Sequence, residues 1–211
     1  MRTRIKFCGL TRPGDVRLAV ELGVDAIGLV FAAGSPRCLT PDQGASLRSA
    51  VPPLVDAVAL FMDNPGSEVE AVVRRLKPDL LQFHGSESEA FCRSFGVPFI
   101  KTVAMGGGAS DAATARKRYP SASAFLLDGH APGQPGGRGE RFDWTQVPSL
   151  GRPLFLAGGL APANVAEAVR TVRPYAVDVS SGIESAPGLK DGGRMQSFVD
   201  EVRRADRSAP E

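Results

Sequence analysis

The sequence predicts an α/β fold: a closed (β/α)8 barrel in a single domain, residues 1–211, with the last few residues frayed. Three observations carry this expectation. Short β-rich runs alternate with longer helix-like stretches along the whole chain. Eight such units share 211 residues, about 26 each, which is the small end of the barrel size range. No Pro/Gly-rich linker separates two cores, and the long Gly/Pro segment from Gly129 to Arg141 falls inside one unit. A doubly wound open sheet is the competing architecture, but it normally uses fewer strands and one switch point.

In order, strands are expected near residues 4–8, 25–31, 54–62, 79–84, 98–103, 123–128, 153–157 and 174–179. Helices are expected near 13–22, 41–50, 66–75, 86–95, 110–118, 161–171 and 191–204. The first strand reads Arg4-Ile5-Lys6-Phe7-Cys8, so alternation puts Ile5 and Phe7 on one face and Lys6 and Cys8 on the other. In the fourth, Gln82 and His84 oppose Leu81 and Phe83. The sixth is the apolar run Ala124-Phe125-Leu126-Leu127, ending at Asp128. Around Asp143-Trp144-Thr145 the crossover reads as short or irregular. In the eighth, Asp178 opposes Val177 and Val179. The segment from Arg203 to Glu211 reads as a frayed polar tail.

Composition narrows the function classes. The apolar fraction is 43%, and 25 basic against 23 acidic residues leave a net charge of +2. No basic run suggests nucleic acid, and no apolar run approaches the roughly 18 residues of a membrane span. The start Met1-Arg2-Thr3-Arg4 has no apolar stretch behind it, so a signal peptide is not expected. Cys8, Cys38 and Cys92 are odd in number and form no CxxC pair, which fits a reducing cytoplasm rather than a disulfide framework. No His/Cys/Asp/Glu cluster has metal-ligand spacing, and no Walker loop or dinucleotide fingerprint is present, so neither metal nor organic cofactor is expected.

The candidate chemistry sits at strand ends. Cys8 closes the first strand, where barrels keep their active sites. It reads as a general base or nucleophile whose thiolate fraction a nearby cation would raise, or as a small buried hydrophobe. Lys6, on the same face, needs a partner if it points inward. Strand eight closes against strand one, so Asp178 is the expected partner; the alternative, two solvated surface charges, is disfavoured by the alternating apolar residues that flank both. Asp128 reads as a general acid whose pKa burial would raise, or as a turn aspartate. Arg37, in Ser35-Pro36-Arg37, would fork onto a carboxylate or simply point to solvent. Gln82 and His84 would line the top of the barrel, with a satisfied structural histidine as the plainer reading. Three glycine-rich turns would bring backbone N–H groups to a phosphate: Gly136-Gly137-Arg138-Gly139, Gly158-Gly159, and Ser180-Ser181-Gly182.

Taken together these residues resemble the phosphoribosylanthranilate isomerase family. The landmarks are Lys6-Phe7-Cys8-Gly9-Leu10-Thr11, Ser35-Pro36-Arg37, Leu81-Gln82-Phe83-His84-Gly85, Leu126-Leu127-Asp128, Phe142-Asp143-Trp144, Leu156-Ala157-Gly158-Gly159-Leu160, Asp178-Val179-Ser180-Ser181-Gly182-Ile183-Glu184 and Pro187-Gly188-Leu189-Lys190-Asp191. They run in order from Lys6 to Asp191. The resemblance implies a cofactor-free barrel that converts N-(5-phosphoribosyl)anthranilate to 1-(2-carboxyphenylamino)-1-deoxyribulose 5-phosphate by an Amadori rearrangement. It implies Asp128 as general acid, Cys8 as general base, Arg37 on the anthranilate carboxylate and the three turns on the phosphate. It also implies a small-molecule substrate, with the chain a monomer or homodimer. Two positions depart from the family's pattern. Arg138 replaces the usual threonine of the turn after strand six, and Phe7 replaces a common isoleucine on the helix-facing side. Other phosphosugar barrels are the rivals, such as an indole-glycerol-phosphate synthase or a two-substrate histidine–tryptophan isomerase. The histidine-pathway isomerase uses paired aspartates, which Cys8 argues against. A non-catalytic phosphosugar-binding protein would keep the turns without needing Cys8 and Asp128 together.

Overall fold

In a parallel sheet closed on itself, alternation sends one set of side chains out to the helices and the other into the barrel. The computed structural model of the chain, which describes residues 2–106, 112–131, 133–134 and 141–208, has this arrangement. Eight parallel strands close in sequence order: β1 (Arg4–Cys8), β2 (Ala26–Val30), β3 (Asp56–Phe61), β4 (Leu80–Phe83), β5 (Phe99–Ala104), β6 (Ala124–Asp128), β7 (Leu154–Leu156) and β8 (Ala176–Val179). Around them run α1 (Pro13–Glu21), α2 (Pro41–Arg48), α3 (Gly66–Leu76), α4 (Glu89–Arg93), α5 (Ala112–Arg118), α6 (Val165–Val172) and α7 (Gly192–Arg207). A 3-10 turn, Trp144–Gln146, stands in the sixth crossover, where the sequence suggested a short or irregular segment.

The two faces separate cleanly. Ile5, Phe7, Ile27, Leu29, Phe61, Leu81, Phe83, Phe125, Leu127, Val177 and Val179 pack outward with the helices in the main core. Phe7 is fully buried and meets Phe198 of α7 edge-on at 6.0 Å, so its departure from isoleucine is a matter of packing. Ala26, Val58, Ile100, Ala124, Leu126, Phe155, Ala157 and Ala176 form the inner plug. A smaller apolar group, Cys8, Val30, Ala32 and Leu60, lies with the partly buried Met62.

The barrel seam joins β8 to β1 with Lys6 paired in register to Asp178. Lys6 Nζ donates to Asp178 Oδ1 at 2.8 Å, and the two residues are only 1% and 8% exposed. The pairing expected from alternation and closure is therefore present.

Three local expectations need correction. The fourth helix begins at Glu89, not near 86. Ser88 caps it through its hydroxyl, while Ser86 is held outside it by Asp63. Buried Lys101 reaches Gly85 O at 2.5 Å and Glu87 Oε2 at 2.8 Å, pinning this loop as a turn. The sixth helix begins at Val165 because Asn164 spends its side chain on Ala161 N and Gly159 O. From Arg203 to Ser208 the chain is not frayed, and the last three residues lie outside the described ones. It is helical through Arg207, held by Arg203 donating to Leu22 O at 2.7 Å. Asp206 accepts from both the backbone N–H and the hydroxyl of Thr3.

A short antiparallel hairpin after β8, β9 (Glu184–Ala186) with β10 (Leu189–Lys190), was not anticipated. Among the described residues no helix is long and apolar enough to cross a membrane.

Candidate active site

The C-terminal ends of the strands open onto a cavity of about 480 Å³. Cys8, Arg37, Gln82, His84, Asp128, Gly158, Gly159, Asp178, Ser180 and Ser181 all line it, with Leu60, Met62 and Ala32 supplying apolar wall. Residues nominated from six widely separated stretches of chain thus converge on one space. Lys6 lies below the cavity lining, on the β1 face that carries Cys8, with its ammonium on Asp178. Gly182 does not line the cavity. A Cβ there would strike the carbonyl oxygen of Leu160, so this glycine lets the turns after β7 and β8 pack together. Gly137, Gly139 and Arg138 lie outside the described residues.

Cys8 ends β1 opposite Gly28 of β2. A Cβ at Gly28 would sit 2.6 Å from the Cys8 sulfur and 3.0 Å from Lys6 Nζ, so a glycine makes the space that the thiol fills. Burial works against the Lys6 charge, but Asp178 and the thiol beside it hold the ammonium above its ordinary range. The expectation that a cation would leave Cys8 more ionised is corrected. Burial pushes the thiol up, with Asp178 adding to it, and Lys6 and Lys190 only partly offset this.

Asp128 ends β6, and its carboxylate faces two imidazoles. Its Oδ2 lies 3.6 Å from His84 Nε2 and 3.5 Å from His130 Nδ1. The expected rise in its pKa is also corrected. Burial does push the carboxyl up, but the neighbouring His130 ring and backbone N–H, together with His84, outweigh it and hold the group below its usual value. His84 is not the satisfied structural residue of the plainer reading. Its Nε2 is buried without a hydrogen-bond partner, and burial, against the pull of Asp128, drops its pKa to about 4. Its Nδ1 lies 3.2 Å from Thr102 Oγ1 and 3.4 Å from Gln82 Nε2.

Arg37 is buried rather than solvated, and its bidentate fork is already in use. Its Nε and Nη2 donate to the Glu184 carboxylate at 2.7 and 2.6 Å. Lys190 Nζ joins the same carboxylate at 2.8 Å and also reaches Ser180 O at 3.0 Å. Burial raises the Glu184 carboxyl, but Arg37 and Lys190 more than reverse this and hold it low. Burial likewise lowers Lys190, against Glu184. One anion thus ties the turn after β2 to the hairpin after β8.

Sequence reasoning missed His130, Glu184 and Lys190. Glu184 and Lys190 stood inside quoted motifs, but only the hairpin turns them inward. His130 follows Asp128 by two residues, and that spacing alone says nothing. No metal-ligand spacing is visible along the sequence, but the fold brings three ligand-type side chains together. His84, Asp128 and His130, from two different strand ends, place three ligand atoms within 4.8 Å of one another.

Comparison with known proteins agrees with the fold. The model of the family described as N-(5'phosphoribosyl)anthranilate (PRA) isomerase matches residues 5–201. The N-(5'-phosphoribosyl)anthranilate isomerase of Stenotrophomonas maltophilia (strain R551-3) is 58% identical over 207 residues, covering 97% of this chain and 95% of that protein. The crystal structure of phosphoribosyl anthranilate isomerase from Thermotoga maritima is 34% identical with a TM-score of 0.86, covering 96% of this chain and 99% of that one. A phosphoribosyl anthranilate isomerase solved in complex with reduced 1-(o-carboxyphenylamino)-1-deoxyribulose 5-phosphate is 32% identical with a TM-score of 0.83, over the same shares of the two chains. With its barrel, the thiol and carboxyl at one cavity and these relatives in agreement, the chain belongs to the phosphoribosylanthranilate isomerase family.

Proposed function

We propose that this chain performs the family's Amadori rearrangement, N-(5-phosphoribosyl)anthranilate to 1-(2-carboxyphenylamino)-1-deoxyribulose 5-phosphate, with Cys8 as base and Asp128 as acid. One observation carries the reading: Cys8 on β1 and Asp128 on β6 line a single cavity. Asp128 gives a proton to the ribose ring oxygen, and the ring opens to a protonated Schiff base. Cys8 takes the proton from C2, giving an enolamine. Protonation at C1 and loss of the C2 hydroxyl proton complete the ketone. The iminium acidifies the C2 proton, so a weak base suffices. The raised thiol and lowered carboxyl put the working protonation state in the minority in the free protein. A substrate with two anionic ends that displaces water favours protonated Asp128.

Anchoring follows the same logic. The turns at Gly158–Gly159 and Ser180–Ser181, which line the cavity, are the described part of the phosphate seat, and Gly182 lets those two turns pack together. Glu184 occupies the Nε/Nη2 edge of Arg37, so the anthranilate carboxylate takes the Nη1 side rather than a full fork. Lys6 and Asp178 set the polarity beneath Cys8, and Gln82 orients His84. Fixing both ends of a flexible sugar is worth several kcal/mol of barrier.

The test is loss of substrate fluorescence on incubation with freshly made phosphoribosylanthranilate. Cys8→Ser and Asp128→Asn should each lower kcat at least about 10²-fold with the fold intact. Near-parental turnover in either variant refutes that residue's role, and no catalysed loss in the parent leaves only a binding protein. The unpaired thiols support a reducing cytoplasm. Leu54 and Leu189 are the exposed large apolar side chains among the described residues, which favours the monomer over the homodimer. Light scattering checks this.

A further inference from the structure

The chain contains two histidines, and the barrel stacks one on the other. The ring centroids of His84 and His130 are 4.7 Å apart, with planes 25° from parallel. Both side chains and that of Asp128 are less than one-tenth exposed. His84 Nε2 and His130 Nδ1 are buried without a hydrogen-bond partner, although a buried unpaired polar atom costs about 1–3 kcal/mol. Both nitrogens flank the same oxygen, Asp128 Oδ2, at 3.6 and 3.5 Å.

Zinc held tetrahedrally at about 2.0–2.1 Å from nitrogen and oxygen gives ligand-to-ligand edges of about 3.3–3.4 Å. Two of the three edges here are within about 0.3 Å of that length. The outer groups fit as well. Thr102 and Gln82 touch the far nitrogen of His84, the kind of contact that fixes the ring of a ligating histidine. The cavity offers the open fourth position.

We propose that His84, Asp128 and His130 form a site for a divalent transition cation of the zinc class, and that its occupation silences the isomerase by taking the Asp128 carboxylate. The silencing rests on the acid role given to Asp128 above, whereas the binding does not.

The two are tested apart. Metal-free protein without substrate is titrated with Zn²⁺ against a chromophoric chelator. One zinc should bind per chain. His84→Asn and His130→Asn should each weaken binding at least about tenfold, since even outer-shell losses reach that size. Cys38→Ser, which removes an exposed thiol, should leave it unchanged. Circular dichroism confirms that the variants fold. Stoichiometric zinc should also abolish turnover, and a chelator should restore it. The site is refuted if the parent binds less than one zinc, or if both histidine variants bind as tightly as the parent. Zinc bound at full stoichiometry without loss of turnover refutes the silencing alone. An inactive metal-free protein refutes the catalytic reading instead.

Discussion

Replacing Asp178 by asparagine removes one charge from a buried pair while keeping its shape. The Lys6 ammonium is then left with a neutral amide, inside a barrel where it is 1% exposed. Breaking a buried pair from one side costs about 3–5 kcal/mol. Asp178 is 8% exposed and lines the cavity, so water reaches that end and the lower half of the range applies. Against a domain stability of about 5–15 kcal/mol the loss is large. At about 2–4 °C per kcal/mol for a chain of this size, Tm should fall by roughly 6–16 °C. Thermal melting followed by circular dichroism measures the shift, and urea denaturation measures the free-energy loss. The double variant Lys6→Met/Asp178→Leu supplies the control. Apolar replacement of a buried pair is often neutral or stabilising, so it should recover most of the loss. If Asp178→Asn stays within about 1 kcal/mol of the parent, or the double variant is no more stable than the single one, the pair is not the buried contact described.

Other outcomes follow from the same geometry. Cys8 alkylation by iodoacetamide, followed residue by residue by mass spectrometry, should show its inflection above the ordinary thiol value of about 8.5. Because Lys6 lowers the thiol and burial raises it, Lys6→Met should move that inflection higher, and a move downward refutes the assignment. Arg37→Ala should raise KM for phosphoribosylanthranilate more than it lowers kcat. Its stability loss should be smaller than that of Asp178→Asn, because Lys190 still meets Glu184. A pure kcat effect contradicts the binding role. Gly28→Ala should cut kcat with a smaller change in KM, since the added methyl collides with the Cys8 sulfur. Unchanged turnover would mean that the position of Cys8 is unimportant.

Much of the barrel was legible because period-two alternation is strong in short buried strands. Lys6 and Asp178 were readable as partners from alternation plus closure, with no motif needed. What escaped was whatever depends on a loop's path. Ser88 and Asn164 start their helices later than apolar spacing suggests, because each satisfies backbone groups locally. Arg203 and Asp206 read as a polar tail, yet they bond to Leu22 and Thr3, far away in sequence. At the site, Cys8, Asp128 and Arg37 stood out by their places after strands, and turn glycines by their density. The ionisation of Cys8 and Asp128 was misjudged. Their shifts depend on three-dimensional placement that spacing does not show: His130 and His84 set beside Asp128, and the balance of burial against Lys6 for Cys8. Glu184 was invisible as the partner of Arg37 because a hairpin two residues wide decides where its carboxylate points.

The contact between Lys6 and Asp178 joins positions 172 apart in sequence, and it lies on the ladder that closes the barrel, β8 against β1. Every strand has two hydrogen-bonded neighbours only after that ladder zips. A chain halted after β7 would present two open sheet edges and a lysine with no counterion, features that invite association between chains. Assembly of this molecule should therefore be indivisible. Truncation before Ala176 is expected to give aggregates rather than a smaller stable barrel, whereas a soluble, cooperatively melting fragment would show that the first seven units suffice by themselves.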